Sequence, residues 1–386
     1  MIKMYTAYTE EIDDPEAAVA DILEKLALDG KLLKSSLGLL HCYYDFVESG
    51  AVAAICAALP FDVVGNSSIS VSTVGFTAVF GLTLTVLTSD DVTFTAGISS
   101  SCSDGVDAPL TELYNRVVGP LAQEPKLLLA FAPLLANVGG DEFTDKINEL
   151  SGGIPAFGSL SISDEDDFSK CFTFCNGECV TDAFALAALC GDVNPTFASV
   201  SILEENMLKH QAVVTASEKN ILKSVNNITI EEYVTSIGLV DKGDMRSLIS
   251  TPLVAETEEG IVFTRTCLFG DNNGGAVLCG HIPVGSKLGF AIMGGSDVIR
   301  STEEETAAVI ALAERENRGI IFYSCASRNW SLGVNSMAEH EKVEEVVGGR
   351  APYTFSYCGG EIFPRTMPDG TSKTLLQNAT LVICVL

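Results

Sequence analysis

Two short segments near the C-terminus carry residues suited to holding a small ligand. Ser324-Cys325-Ala326-Ser327-Arg328 follows the apolar run GIIFY, and Tyr357-Cys358-Gly359-Gly360-Glu361 closes a second apolar run. Polar residues at the carboxyl end of a strand face the crevice where open α/β sheets bind ligands. Ser324 and Ser327 supply hydroxyls, and Arg328 supplies a planar fork that can take a carboxylate through two hydrogen bonds. The glycine pair permits close backbone approach or positive φ, and Glu361 behind it can accept from an ammonium group. Asn378, at the start of the last strand, can orient Glu361 or cap a turn. The expected pocket is Ser324, Cys325, Ser327, Arg328, Tyr357, Gly359, Gly360, Glu361 and Asn378. Arg328 and Glu361 would form a zwitterion clamp in it. The competing reading is internal ion pairing, of Arg328 with a surface acid or of Glu361 with Arg328 or Arg365.

Other chemistries have less behind them. A nucleophilic Cys325 needs a lowered pKa and a base, and none of His41, His210, His281 and His340 forms a motif with it. Cys171, Cys175 and Cys179 have the look of a metal cluster. With Asn176-Gly177 as a two-residue hairpin turn, however, Cys175 pairs with Glu178 and Cys179 with Phe174, and the two thiols point to opposite faces. They cannot converge on one zinc, so no metal is expected. No G-x-G-x-x-G and no Walker A sequence is present, and GDNNGGAV from Gly270 reads as a hairpin turn between alternating strands.

These segments need elements to position them, and one pattern recurs three times: strand, amphipathic helix, a strand ending near Gly or small residues, then an alternating strand. The first copy is LGLLHCYYDF, VESGAVAAICAAL, FDVVGNSS and TAVFGLTLTVL. The second is PKLLLAFAPL, DEFTDKINELSG, IPAFGSLS and KCFTFCNGECVTDAFALAALCG. The third is RGIIFYSCAS, NSMAEHEKVEEVVG, PYTFSYCGGEI and NATLVICVL. Such order implies βαβ units with antiparallel strands beside them. The expectation is an α/β fold with α+β character, in two parts with mixed sheets. Asp14-Pro15 reads as a helix start, and Thr229-Ile-Glu-Glu232 and Ser301-Thr-Glu-Glu304 both fit the capping box. The rhythm pauses at SILEENMLKHQ, and AVVTAS-EKN-ILKSVNN follows as a hairpin. The parts are placed at residues 1–203 and 229–386, with 204–228 linking them.

Composition narrows the partners. The 386 residues are 47% hydrophobic and 19% charged, with a net charge of −28, enough for a core and repellent to nucleic acid and anionic membranes. The start, MIKMYTAYTEEIDDPEAA, has no apolar signal region, and GFTAVFGLTLTVL is too short to span a bilayer and reads as a buried strand. The twelve Cys are scattered through apolar runs, so reduced thiols and a soluble cytoplasmic protein are expected.

In its ordered motifs the chain resembles the FIST family, read here as F-box and intracellular signal transduction, over nearly its whole length and in both its N-terminal and C-terminal parts. TAYTEEIDDPEAAVADIL is similar to the family's start, PFDVVGNSS and IPAFGSLS to its strand-to-glycine segments, and TFCNGECVTDAFALAALCGDV to its closing hairpin. VVTASEKNILKSVNNITIEEYV resembles the linking hairpin and helix. IIFYSCASR, YCGGEI and LLQNATLVICVL resemble the Ser-Cys-x-x-Arg, Gly-Glu-Ile and final-strand segments. The chain departs from the family after Gly65, where Asn66-Ser67-Ser68 replaces Cys-Ser-x-x-Gly-Glu, at Gln377, where His is usual, and at Ala379.

The resemblance implies a sensory protein that binds an amino acid or similar polar metabolite as the input module of a signalling system. A separate downstream protein or a homo-oligomer would carry the signal, since the two parts take up the chain. The alternatives are an enzyme using Cys325 or Glu361 as reactive group, a haem-based gas sensor, and a ligand-free interaction scaffold. Some FIST relatives are haem-binding nitric-oxide sensors, and His41 in LLHCYYDF would be the axial ligand. No C-x-x-C-H is present and a lone His in an apolar run reads as a core residue, so no cofactor is expected.

Overall fold

The apolar runs are short, rich in β-branched residues and bounded by Gly, Asn and Ser, which favours buried strands over helices. A computed structural model describes residues 1–165, 168–202, 204–367 and 369–386, and in it those runs form three copies of one unit. The first is β1 (Lys3–Thr9), α1 (Pro15–Leu26), β2 (Ser35–Cys42), α2 (Asp45–Glu48), α3 (Ala51–Ala57), β3 (Asp62–Ser67), the hairpin β4 (Val71–Thr73) and β5 (Phe76–Ala78), and β6 (Leu82–Ser89). The second is β7 (Val92–Ile98), α4 (Asp107–Val118), β8 (Leu127–Ala132), α5 (Gly140–Ser151), β9 (Ala156–Leu160), the hairpin β10 (Thr173–Cys175) and β11 (Glu178–Val180), and β12 (Ala185–Gly191).

The third unit starts with β13 (Thr196–Val200) and is then interrupted. The interruption contains β14 (Met207–Glu218), β15 (Ile221–Val225), β16 (Ile228–Thr229), α6 (Ile230–Ser236), β17 (Leu253–Glu256), β18 (Val262–Arg265), β19 (Cys267–Gly270), β20 (Ala276–Leu278) and β21 (Lys287–Ala291). These strands make one eight-stranded sheet with a core of its own, including Leu222, Val234, Leu253 and Phe290. The unit resumes with α7 (Gly295–Glu316), β22 (Ile320–Cys325), α8 (Ala326–Leu332), α9 (Ala338–Val347), β23 (Tyr353–Cys358), the hairpin β24 (Gly360–Thr366) and β25 (Ser372–Gln377), and β26 (Leu381–Val385). The fold is thus mixed α/β, and Leu203, where a boundary is expected, lies outside the described residues.

Each unit forms a six-stranded sheet by the same rule. The strand pairs β2–β3, β8–β9 and β22–β23 are parallel, and β6, β12 and β26 run antiparallel beside them. The far edge of each sheet is closed by another unit's hairpin. β10–β11 pairs with β3, β24–β25 pairs with β9, and β4–β5 pairs with β23. The exchange is cyclic, so each unit gives one hairpin and takes one, and the free edges of β3, β9 and β23 are covered.

Side chains fasten each exchanged hairpin. Asn176 Oδ1 accepts from the Val63 N–H at 2.8 Å. The Ala156 N–H donates to Thr374 Oγ1 at 3.0 Å, and Asn148 meets the Thr374 backbone on both its amide groups. His340 lies between the hydroxyls of Ser70 and Ser72, at 2.7 and 2.8 Å, and burial holds its pKa down to about 3.

Inner faces of the three sheets share one core, containing Leu39, Phe131, Phe157 and Tyr323, while the outer faces pack against helices. Within it a buried hydrogen-bonded chain crosses all three units. His41 bonds Asn66 Oδ1 at 2.9 Å and the Tyr323 hydroxyl at 3.1 Å, and Asn66 Nδ2 donates to Ser159 Oγ at 3.0 Å.

Local signals appear where the sequence puts them, with one correction. Asp14 caps α1 and Thr229 forms a capping box on α6. Ser301, read as a helix start, instead lies inside α7, which begins at Gly295, and its hydroxyl turns back to the Val298 carbonyl. Among the described residues no disulfide forms, and no helix is long and apolar enough to cross a membrane.

The β10–β11 turn has φ of 53° at Asn176 and 86° at Gly177, the signs a type I′ turn requires. A Cβ on Gly177 would also come within 3.2 Å of the Ala53 Cα. Gly177→Val should cost about 2 kcal/mol or more in denaturant unfolding, because a β-branched residue resists positive φ. A loss below about 0.5 kcal/mol would show that the turn does not demand this backbone.

Candidate functional site

The expected pocket residues separate into three neighbouring groups. Arg328, in the first turn of α8, is 1% exposed and faces α7 and α9. Its Nε and Nη2 donate to Glu339 Oε1 at 3.1 and 2.8 Å, and Nη2 also reaches Thr302 Oγ1 at 2.9 Å. The same carboxylate accepts from the hydroxyls of Ser324 at 3.0 Å and Tyr357 at 2.8 Å. The clamp expected of Arg328 and Glu361 does not form, because the guanidinium is spent on a buried acid from a neighbouring helix. Ser324 and Tyr357 go with it. The group locks α7, α8, α9, β22 and β23 together, and removing one partner would leave a buried charge uncompensated.

Glu361 is fully buried, and among the described residues no cation pairs with its carboxylate. The Cys358 thiol donates to Oε1 at 3.3 Å, and the Thr380 N–H and hydroxyl donate to Oε2. Burial raises its pKa to about 8, against the lowering effect of those hydrogen bonds and of Arg328. At neutral pH it is mostly a neutral acid. Asn378 does not orient it; its Nδ2 donates to the Gly359 carbonyl at 3.2 Å and its Oδ1 accepts from the Thr266 N–H at 3.4 Å. The glycine pair serves close approach: a Cβ on Gly360 would be 2.8 Å from Asn378 Nδ2, and one on Gly359 2.7 Å from the Ser161 carbonyl oxygen. Ala379 holds φ of 56° in the turn that brings Thr380 to Glu361, an uncommon state for a residue with a Cβ.

Cys325 and Ser327 lie beside a cavity of about 10 Å³, shared with Thr266, Cys279, Gly359 and the rings of Phe168 and Trp330. That is room for about one water. Burial first, and Glu361 second, push the Cys325 thiol up to about 12, and its sulfur accepts from Ser327 Oγ at 3.1 Å. It carries no thiolate and, among the described residues, no histidine contacts it: His41 and His340 are engaged elsewhere, and His281 meets Ser217 and the Lys219 carbonyl. The side chain of His210 lies outside the described residues.

A cavity of about 590 Å³ lies against β24 and β25, where the inserted sheet meets them. Alternation along GEIFPRT puts Glu361, Phe363 and Arg365 on one face, and Phe363 and Arg365 line the space. At one end Arg365 donates to the Val262 carbonyl at 2.6 Å, beside Lys287 and Glu256, which pair at 3.2 Å. At the other end are Thr264, Thr380 and Gln377. Gln377 is 8% exposed, opposes Glu361 in the β24–β25 register, and its amide has no hydrogen-bond partner among the described residues. Apolar contacts come from Ile202, Met207, Phe263 and Phe363. This wall is not evident from the sequence because its other side comes from β17, β18 and β21; the Glu-x-Phe-x-Arg alternation is the one local signal of it.

Two other candidates are placed in the core. Both ring nitrogens of His41 are bonded, to Asn66 and Tyr323, and burial lowers its pKa to about 4, so neither nitrogen is open to a haem iron. Cys175 and Cys179 take the register drawn from the turn, opposite Glu178 and Phe174. Cys171, Cys175 and Cys179 pack into three different apolar clusters, and no metal-binding group is found among the described residues.

Two family models match the chain. That of the FIST N domain matches residues 36–228, and that of the FIST C domain matches 229–364. The family resemblance holds, and the expansion of its letters with F-box is wrong. No curated protein matches the chain.

Two measurements check the buried charges. Arg328→Met should cost about 3–5 kcal/mol in unfolding free energy, the range for leaving a buried partner charge unpaired; a change under about 1 kcal/mol would remove the pair from the fold's support. Burial raises the folded pKa of Glu361 from the ordinary 4.5 to about 8. Its contribution is therefore fully present below pH ~4.5 and lost as pH rises toward and through ~8. Glu361→Gln should flatten the stability loss of the wild type across that window, and parallel profiles would contradict the assignment.

Proposed function

Because the chain belongs to the FIST family, whose domains are associated with sensory roles in signal transduction, we propose that it is a signalling input module that binds a small polar metabolite in the cavity along β24 and β25. An amino acid or a similar compound is the class in view. The observation that carries the reading is Gln377, a side chain on the wall of a 590 Å³ space whose amide has no hydrogen-bond partner among the described residues. The amide is not one of the side-chain groups sealed from solvent without a partner, so it opens into this space, which supports it as a ligand contact. Arg365 and Lys287 add the local cations that a chain of net charge −28 needs to hold an anionic group.

Transmission follows from which elements the ligand would touch. It would bridge β24–β25, the hairpin on which the second unit's sheet depends, and the inserted sheet, and could thereby shift one against the other. In this reading the protein works in the cytoplasm and passes the change to a separate signalling protein or to a second copy of itself. Nucleic acid and membrane insertion have no part in it.

Gly289 on β21 lines the cavity, and a Cβ there would press on the flexible end of Met207, at 2.9 Å, and touch the Val254 carbonyl oxygen at an ordinary 3.8 Å. Gly289→Leu should fill the space while keeping the fold. Thermal-shift screening of polar metabolites should find ligands that stabilise the wild type and lose at least ~10-fold in affinity in this variant. A ligand bound equally by both proteins would put the sensory site elsewhere.

A further inference from the structure

The cavity along β24 has its polar groups at two ends, with apolar surface between. Arg365 pairs in register with Lys373, and Gln377 pairs with Glu361. Four residue steps therefore separate the Arg365 end from the Gln377 end, about 13 Å along a strand at ~3.3 Å per residue. Phe363 lies midway on the same face, with Phe263 on the facing sheet. A free α-amino acid carries its carboxylate and ammonium on one carbon, so its two charged groups cannot reach both ends. The volume of 590 Å³ lies within the range of drug-sized ligands.

Resting on the reading of this cavity as the sensory site, we propose that its ligand is an extended amphipathic carboxylate, with the carboxylate at Arg365, an apolar chain over Phe363 and Phe263, and a hydrogen-bonding group at Gln377 and Thr380. The charge balance fixes the direction. Lys287 is paired with Glu256 at 3.2 Å, while Arg365 is exposed and, among the described residues, engages the Val262 carbonyl and no acid, which leaves a net positive charge at that end. At the other end the polar side chains are neutral: Gln377 is open, and the Thr380 hydroxyl donates to Glu361 behind it. An anion is matched at the first end, and a hydroxyl, amide or ammonium at the second.

The test is a ladder of straight-chain ω-amino carboxylates, from glycine through aminobutanoate to aminododecanoate, titrated by calorimetry into the wild type, Arg365→Gln, Gln377→Leu and Gly289→Leu. Affinity should climb with chain length until the chain spans the two ends. Arg365→Gln and Gln377→Leu should each cost the longer members ~10-fold or more, with unchanged melting temperatures. Affinity that is flat along the ladder, highest for glycine, or untouched by both end variants would overturn the extended ligand. Gly289→Leu keeps the two claims apart. If a compact metabolite binds the wild type and is lost in Gly289→Leu while the ladder fails, the sensory cavity stands and the extended ligand falls. If Gly289→Leu leaves all binding intact, both fall.

Discussion

Three sheets in this protein are each completed by a hairpin that belongs to another unit, and the other features of the fold follow from that exchange. A hairpin seated on a neighbour's edge strand forms backbone hydrogen bonds that neither unit can make alone. Since the exchange runs in a circle, β10–β11 to β3, β24–β25 to β9 and β4–β5 to β23, removing any one leaves an open edge and an unseated hairpin elsewhere. The inner faces are thereby held around one core, and one buried hydrogen-bonded set ties the units together across it. Tyr323, His41, Asn66 and Ser159 form that set across all three units. The same exchange pairs strands of the FIST C region with strands of the FIST N region, so the two sequence regions share sheets.

The frame also sorts the buried charges into two kinds. Arg328 and Glu339 neutralise each other with hydroxyls from Ser324, Tyr357 and Thr302 filling the remaining valences, which makes them part of the support between helices and sheet. Glu361 has hydrogen bonds but, among the described residues, no cation, and burial moves its pKa to about 8. It lies next to Thr380 and opposite Gln377, on the hairpin face that walls the large cavity. A carboxyl kept neutral by its surroundings, one hydroxyl away from an open space, is a group whose ionisation a bound cation would favour.

Much of this was legible in the sequence, for physical reasons. Strand and helix periods, the Asn176-Gly177 turn and the caps at Asp14 and Thr229 depend on neighbours a few residues away, so the three repeats and the Cys175–Glu178 register could be drawn from the residues alone. Ser301 misled because Ser-x-x-Glu is also compatible with a helix interior, and only the start at Gly295 decides between them. What escaped was long-range. Nothing local says that β24–β25 will lie on β9, that Glu339 on α9 will reach Arg328 before Glu361 can, or that strands from residues 207–291 will form the second wall of a cavity. The pocket expected at the end of β22 was drawn by analogy with open sheets, and here that end is filled, leaving about 10 Å³.

The central claim is that the hairpin face of β24–β25, positioned by the exchange, is where the protein meets its ligand. A crystal structure of protein purified without dialysis or refolding tests it most directly. The account predicts extended density in the large cavity, running from Arg365 past Phe363 to the Gln377 amide. Density beside Cys325 and Thr266 with the large cavity collapsed around its own side chains would contradict it.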